Sequence, residues 1–230
     1  MDDLNDYSWC AFYPAAAKAL CSYQNKRAAL LKELYEALPA ETGYLHDPER
    51  KPLKDIDPFS VFGILNRHIS QEKKTETAEA FKRIFGLKEP VPHNYHGIPP
   101  LSNENSIFFG FKDGQTEKDI DNLWQFFISV LNDESCVGVQ FEEMTAHQYG
   151  IKFNRTIGMY WIRPEKYFPL DTPSRAFLER HGIKCSSTSV PAFKDYEQIC
   201  TGVRDLLPSL PNKPKSFAQV TRGIYLSLQK

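Results

Sequence analysis

The sequence lacks any apolar run close to the ~18 consecutive residues that a membrane-spanning helix needs. It also lacks a secretory signal, because its first six residues, Met1 to Asp6, are polar and acidic where such a signal would begin with basic residues. These two absences predict a cytoplasmic protein with no membrane partner. The composition, 41% hydrophobic and 25% charged, is that of a globular chain and excludes a disordered or fibrous one.

Cysteine is scarce and has no pattern. The chain has five cysteines and no C-x-x-C pair, which predicts reduced thiols and neither a disulfide framework nor a zinc site. His93 and His96 are three residues apart, but they lie in a proline-rich segment without an H-E-x-x-H frame. We therefore predict that the protein binds no metal.

The common catalytic motifs are also missing. The sequence has no Walker A motif, no G-x-G-x-x-G and no G-x-S-x-G. The carboxylate pairs Asp55/Asp57 and Asp119/Asp121 lie at the starts of predicted helices, where the helix dipole favours negative charge. The sequence thus predicts no catalytic residues, no cofactor and no enzyme activity of this chain's own.

Charge is distributed unevenly along the chain. Residues 1–150 contain 15 basic and 23 acidic residues, a net charge of −8, whereas residues 151–230 contain 13 basic and 6 acidic residues, a net charge of +7. A basic half joined to an acidic half is typical of a protein that meets a polyanion with one face. The alternative is that the two halves neutralise each other within the molecule.

Apolar residues at three- and four-residue steps predict several helices. Asp57 and Ser70 are predicted to cap two of them, and Gly86 to end the second. Proline and glycine make residues 43–58 a predicted loop. The predicted helices span residues 13–38, 59–66, 70–85, about 116–131 with a capping box at Thr116 to Asp119, 173–181, 194–207 and 216–229.

Residues 156–163 are the best candidate for a β-strand, because they are β-branched and aromatic and lie between Asn154 and Pro164. In a strand, Trp161 would face the core while Tyr160 faced the opposite side. Tyr160 and Tyr167 are accordingly expected to be exposed. The predicted fold class is α+β, a helix-rich single compact domain with a small β-sheet.

Several separated motifs together resemble the N-terminal region of McrB-like restriction NTPases, the AAA+ motor subunits of modification-dependent restriction systems. The resemblance covers roughly residues 9–180 and is collectively specific because five motifs keep their order and spacing. The motifs are Trp9-x-x-Phe12-Tyr13-x-x-x-Ala17, residues 55–67 (DIDPFSVFGILNR), Gly97-Ile98-Pro99, residues 119–124 (DIDNLW) and Asn154-x-Thr156-x-Gly158-Met159-Tyr160-Trp161-Ile162-Arg163-Pro164, ending at Leu170-Asp171.

The resemblance implies a division of labour in which the N-terminal region recognises DNA, often through a modified base. An AAA+ ring then hydrolyses nucleotide, and a separate partner subunit carries the nuclease. Since this chain has no Walker A motif, residues 1–184 are expected to be the recognition domain. Residues 185–230 are expected to be a helical extension that leads toward an AAA+ motor domain in the same or a longer chain.

Basic and aromatic residues of the C-terminal half are the candidates for contacts with DNA phosphates and with a modified base. Arg163 has a structural alternative, an ion pair with Asp171, and Trp161 is as well explained by a place in the core. The candidate phosphate contacts are Lys152, Arg155, Arg163, Lys166, Lys213, Lys215 and Arg222, and the candidate base-pocket residues are Tyr160, Tyr167 and Trp161.

Two other functions remain open at this point. The acidic, aromatic-rich first half would also suit a protein-interaction module that docks the motor or a partner subunit. A nuclease or glycosylase without a recognisable motif is the third alternative.

Overall fold

The computed structural model describes residues 6–47, 49–102, 107–109, 118–147 and 153–228. Within these ranges the chain forms eleven α-helices and two short 3₁₀ turns, Cys21–Tyr23 and Leu207–Ser209. The helices are α1 Trp9–Leu20, α2 Arg27–Ala37, α3 Pro39–Thr42, α4 Pro58–Asn66, α5 Gln71–Phe85, α6 Asp119–Asn132, α7 Val137–His147, α8 Asn154–Ile162, α9 Thr172–Arg180, α10 Phe193–Leu206 and α11 Phe217–Ser227.

Helices α4 and α5 begin at the capping residues that the sequence predicts. The Asp57 carboxylate accepts hydrogen bonds from the backbone N–H groups of Phe59 at 2.9 Å and Ser60 at 3.0 Å. The Ser70 hydroxyl accepts one from Lys73 N at 3.3 Å. Helix α5 ends at Gly86, whose φ of 64° is readily adopted only by glycine. Both of these predicted caps and the predicted stop are confirmed, whereas Thr116 lies outside the described residues.

The single helix predicted over residues 13–38 is in fact two helices. Helix α1 ends at Leu20, a 3₁₀ turn follows, and α2 starts at Arg27. Leu20 and Leu30 are nonetheless both fully buried. Because the apolar period continues across the break, periodicity alone could not locate it.

The predicted strand over residues 156–163 is wrong, and with it the α+β fold class. These residues belong to helix α8, and the described part of the chain has no strand, only the isolated bridges His46–Pro52 and Arg67–Leu101. Every residue from Arg155 to Ile162 is buried. A helix that is covered on all sides shows no polar face, so its sequence resembles that of a buried strand. The fold is a single helical domain.

Aromatic side chains build the centre of the core between α1, α4, α6 and α8. The ring centroids of Trp9 and Tyr160 are 5.4 Å apart, and those of Phe59 and Phe127 are 5.1 Å apart. Gly158 permits close packing here, because a Cβ at this position would lie 2.6 Å from Cδ1 of Phe59. The central helices therefore approach one another through aromatic rings.

The C-terminal helices pack onto the same core. Tyr196 of α10 stacks on Phe141 of α7 with ring centroids 5.7 Å apart, and Ile224 of α11 is buried. Residues 185–230, predicted as an extension, thus contribute buried side chains to the domain. None of the helices in the described ranges combines the length and apolarity of a bilayer crossing.

Candidate anion-binding site

A cavity of about 600 Å³ lies between the C-terminal end of α9, residues 210–214 and helix α11. Its apolar wall comes from Phe177, Leu210, Val220 and Ile224, all of which are buried. Helix α11 is held at its start by the Ser216 hydroxyl, which accepts a hydrogen bond from Gln219 N at 3.3 Å. The volume falls within the range of small-ligand pockets.

Arg222 of α11 places a buried guanidinium in this cavity. The residue is only 4% exposed, yet its Nη2 has no hydrogen-bond partner among the described residues. The guanidinium lies 5.5 Å from the ring centroid of Tyr7, which also lines the cavity. Buried polar groups without a partner are rare because they cost free energy. An anion in the cavity would supply the missing acceptor.

Gly97 allows helix α11 to carry Arg222 to this position. A Cβ on Gly97 would lie 2.5 Å from the backbone nitrogen of Arg222, and the φ of Gly97 is 85°. Next to it, the His96 ring stacks on Tyr225 with centroids 5.2 Å apart. Helix α11, which carries Arg222, therefore packs directly against the loop that precedes α6.

The charged residues that line the cavity are basic. Arg180 and His181 line it, and none of its lining residues in the described ranges is acidic. Lys213 and Lys215 are exposed on the adjoining segment. Asn212 and Lys213 have left-handed φ values of 63° and 43°, which side chains adopt at an energetic cost. Apolar walls with cations at one side suit an organic anion.

A family model described as a domain of unknown function, DUF8425, matches residues 9–225. The chain belongs to the DUF8425 family. No curated protein and no solved structure matches it. The match to DUF8425 covers the cavity residues from Phe177 to Ile224, whereas Tyr7 lies before the matched range and Leu226 and Ser227 lie after it.

In this DUF8425 domain only some of the predicted phosphate contacts lie together. Arg222 lines the cavity, and Lys213 and Lys215 are exposed on the segment that adjoins it. Lys152 lies outside the described residues. Arg155 is 1% exposed and donates from Nη1 to the Phe141 carbonyl at 2.8 Å, and burial lowers its pKa to about 10. Since its guanidinium is enclosed by protein, Arg155 is not presented to a phosphate at the surface.

The other two cations of the predicted set are engaged with acidic residues and carbonyls. Arg163 pairs with Glu165, and its Nη1 donates to the Leu131 carbonyl at 3.0 Å at the end of α6. Its suggested pairing with Asp171 is not found among the described contacts. Lys166 pairs with Asp133. Both residues thus have intramolecular partners, but only the Lys166–Asp133 pair joins the basic half to the acidic half, because Glu165 belongs to residues 151–230.

The three base-pocket candidates are all buried. Trp161 is fully buried, as predicted, and its Nε1 donates to the Pro99 carbonyl at 3.2 Å. The expected exposure of Tyr160 and Tyr167 is wrong, because they are 0% and 2% exposed. The Tyr160 hydroxyl shares a hydrogen bond of 2.7 Å with Thr221. None of the three rings can stack on a base while it stays in its present position.

Sequence reasoning found Arg222 but missed Tyr7, Arg180 and His181. These residues come from three distant parts of the chain, and nothing in their local sequence links them. The five cysteines are free thiols, as predicted. No group of three or more metal-binding side chains occurs in the ranges that the structure describes.

Proposed function

We propose that the domain recognises DNA for a McrB-like restriction motor and has no catalytic activity of its own. Its phosphate-binding surface is centred on the cavity between α9 and α11. The observation that carries the proposal is the buried guanidinium of Arg222, which has an unused donor in a lining without carboxylates. Nucleotide hydrolysis and DNA cleavage belong to the motor domain and to the nuclease subunit.

Phosphate chemistry fits this arrangement. A guanidinium donates two parallel hydrogen bonds to a phosphate, and such charge-assisted bonds are stronger than neutral ones. Exposed lysines such as Lys213 and Lys215 add Coulomb attraction and release counterions from the duplex. The apolar wall of the cavity can contact the sugar. The net charge of +7 on residues 151–230 and the resemblance in motifs over residues 9–180 support the same function.

Recognition of a modified base is part of the proposal, but Tyr160, Tyr167 and Trp161 are not its aromatic pocket. Tyr7, a partly buried aromatic residue of the cavity lining, is the candidate ring for contact with a modified base. A binding screen with otherwise identical duplexes, unmodified, cytosine-modified or adenine-modified, tests this part. Tighter binding to one modified duplex supports it, and equal binding to all three restricts the function to recognition of the DNA backbone.

The proposal predicts a change in the salt dependence of DNA binding. Replacing Lys213 and Lys215 by Ala should weaken binding and lower the slope of log K against log salt by about one unit per lost phosphate contact. Fluorescence anisotropy of a labelled duplex measures both quantities. The matched control replaces Lys18 and Lys73, which are exposed lysines of the acidic half, and should have little effect.

The Arg222→Met substitution separates function from folding. Because Met fills similar space and removes an unpaired buried donor, the free energy of unfolding should be unchanged or higher, while DNA binding weakens. Equal losses in the Lys18/Lys73 control would contradict the proposed surface. If the affinity for DNA does not fall with salt, phosphate contacts do not drive binding. That result would favour the alternative function, a protein-docking module with an apolar interface.

A further inference from the structure

A second cavity, of about 580 Å³, has the opposite electrostatic character. It lies where the turn between α6 and α7 meets the segment after α8 and the first turn of α10. Four carboxylates line it against two lysines, Lys166 and Lys194. Lys166 pairs with Asp133, so its charge is already matched. The acidic residues are Asp133, Glu134, Glu142 and Glu197.

Tyr167 lies at the inner wall of this cavity with an unused hydroxyl. The residue is 2% exposed, and its Oη has no hydrogen-bond partner among the described residues. Its ring stacks on Tyr196 with centroids 6.2 Å apart. Burial raises the pKa of Tyr167, and the carboxylates of Asp133 and Glu197 raise it further, whereas Arg163 lowers it. The phenol is therefore neutral and lies near two carboxylates of the cavity lining.

The carboxylates differ in how far their own contacts occupy them. Glu142 accepts a hydrogen bond from Phe193 N at 2.6 Å through one oxygen, and its carboxylate also interacts with the buried Arg155 guanidinium. Glu134 accepts from the Ser129 hydroxyl at 3.0 Å, and hydrogen bonds to its carboxylate lower its pKa and keep it ionised. Among the described contacts none engages the carboxylate of Glu197, an exposed residue of α10. The carboxylate of Glu197 can therefore accept hydrogen bonds from a cationic ligand.

An apolar patch adjoins these carboxylates. Val139 is 62% exposed, an unusual exposure for valine in this domain, and it lines the cavity together with Val137 and Phe193. A ligand that carries a cationic head on a short hydrocarbon chain would match both parts. Its head would reach Tyr167 and Glu197, and its methylene groups would cover Val139.

We infer that this cavity binds an alkylammonium group. The ammonium donates to the Tyr167 hydroxyl and to the carboxylates of Glu197 and Glu142, since an ammonium has three donors and no acceptor. The group could belong to a free diamine or to a lysine side chain of a partner protein. Both sources present the same ammonium group. This cavity is separate from the one at Arg222, so the inference does not depend on the proposed DNA binding.

Calorimetric titration of the whole chain with putrescine, and separately with a blocked lysine peptide, tests the inference. Saturable binding of either is expected, and succinate of similar length should not bind. Saturation by the peptide alone assigns the site to a partner's lysine, and saturation by putrescine assigns it to free amines. Absence of binding by both ammonium probes overturns the inference.

Two variants and one control locate the site. Glu197→Gln and Tyr167→Phe should each weaken binding about tenfold, the loss expected for a hydrogen bond to a charged group. Asp195→Asn removes the same formal charge from α10 outside this cavity and should leave affinity unchanged. Because the Tyr167 hydroxyl has no partner without ligand, Tyr167→Phe should not reduce thermal stability. If Asp195→Asn weakened ligand binding as much as Glu197→Gln does, the effect would come from the overall negative charge of α10 and not from this cavity. That result would overturn the assignment.

Discussion

Asp57 illustrates how a single buried residue couples this fold to pH. Its carboxylate caps α4 and accepts hydrogen bonds from two backbone N–H groups and from the Ser60 hydroxyl. These donors favour the ionised form, but complete burial outweighs them and raises the pKa of Asp57 from 3.8 to about 6. The folded protein therefore holds this proton more tightly than the unfolded chain does.

This shift predicts a loss of stability as pH rises. The contribution of Asp57 is fully present below its unfolded pKa near 4 and is lost as pH rises through about 6, since the folded state binds more protons between these values. The expected size is about 3 kcal/mol. Urea unfolding of the wild type and of Asp57→Asn at a series of pH values measures it. Asparagine keeps the cap without titrating, so parallel pH profiles of the two proteins would contradict the prediction.

At the scale of elements, the position of α11 depends on one close backbone contact. Gly97→Ala should displace α11, because the new Cβ would meet the Arg222 backbone at 2.5 Å and the φ of 85° disfavours any side chain. We expect a loss of unfolding free energy above ~1 kcal/mol together with weaker DNA binding. Circular dichroism melts and anisotropy titrations measure the two effects.

Gly86→Ala provides the control for that variant. Gly86 also has a left-handed φ, 64°, but nothing lies within 4 Å of the position of its Cβ. Its substitution should cost about 1 kcal/mol through backbone strain alone and should leave DNA binding intact. If both variants weaken DNA binding equally, the placement of α11 is not what controls the cavity.

Local signals predicted the helix caps and several helices, but they missed α7 and gave a strand for α8; tertiary contacts explain why α8 was misread. Asp57 and Ser70 were identifiable as caps because a cap acts on its own helix. The burial of Tyr160 was not predictable, because its partner Thr221 is 61 residues away. The neutralisation of Lys166 by Asp133 depends likewise on a contact across 33 residues. The local sequence around Lys166 shows a cation, and only the fold shows that its charge is matched.

At the scale of the whole molecule, the proposed function assigns nucleotide hydrolysis to a separate motor domain and none to this chain. Because the chain has no Walker A motif, purified protein should not hydrolyse GTP or ATP. Release of inorganic phosphate, followed colorimetrically over hours, measures this directly. Hydrolysis that co-purifies with the protein and scales with its concentration would contradict the prediction and the proposed division of labour.

Tyr7 and Arg222 lie near the two ends of the described chain, and Cζ of Arg222 is 5.5 Å from the ring centroid of Tyr7. The two ends of the described chain are therefore close together. Proteins with adjacent ends tolerate circular permutation, since a short linker can join the ends without crossing the fold. The exposed serines and threonine of residues 186–189 offer a place for new ends far along the chain from that junction. Moreover, any domain fused at either end would be tethered beside the Arg222 cavity, where its effective concentration for a ligand bound there would be high.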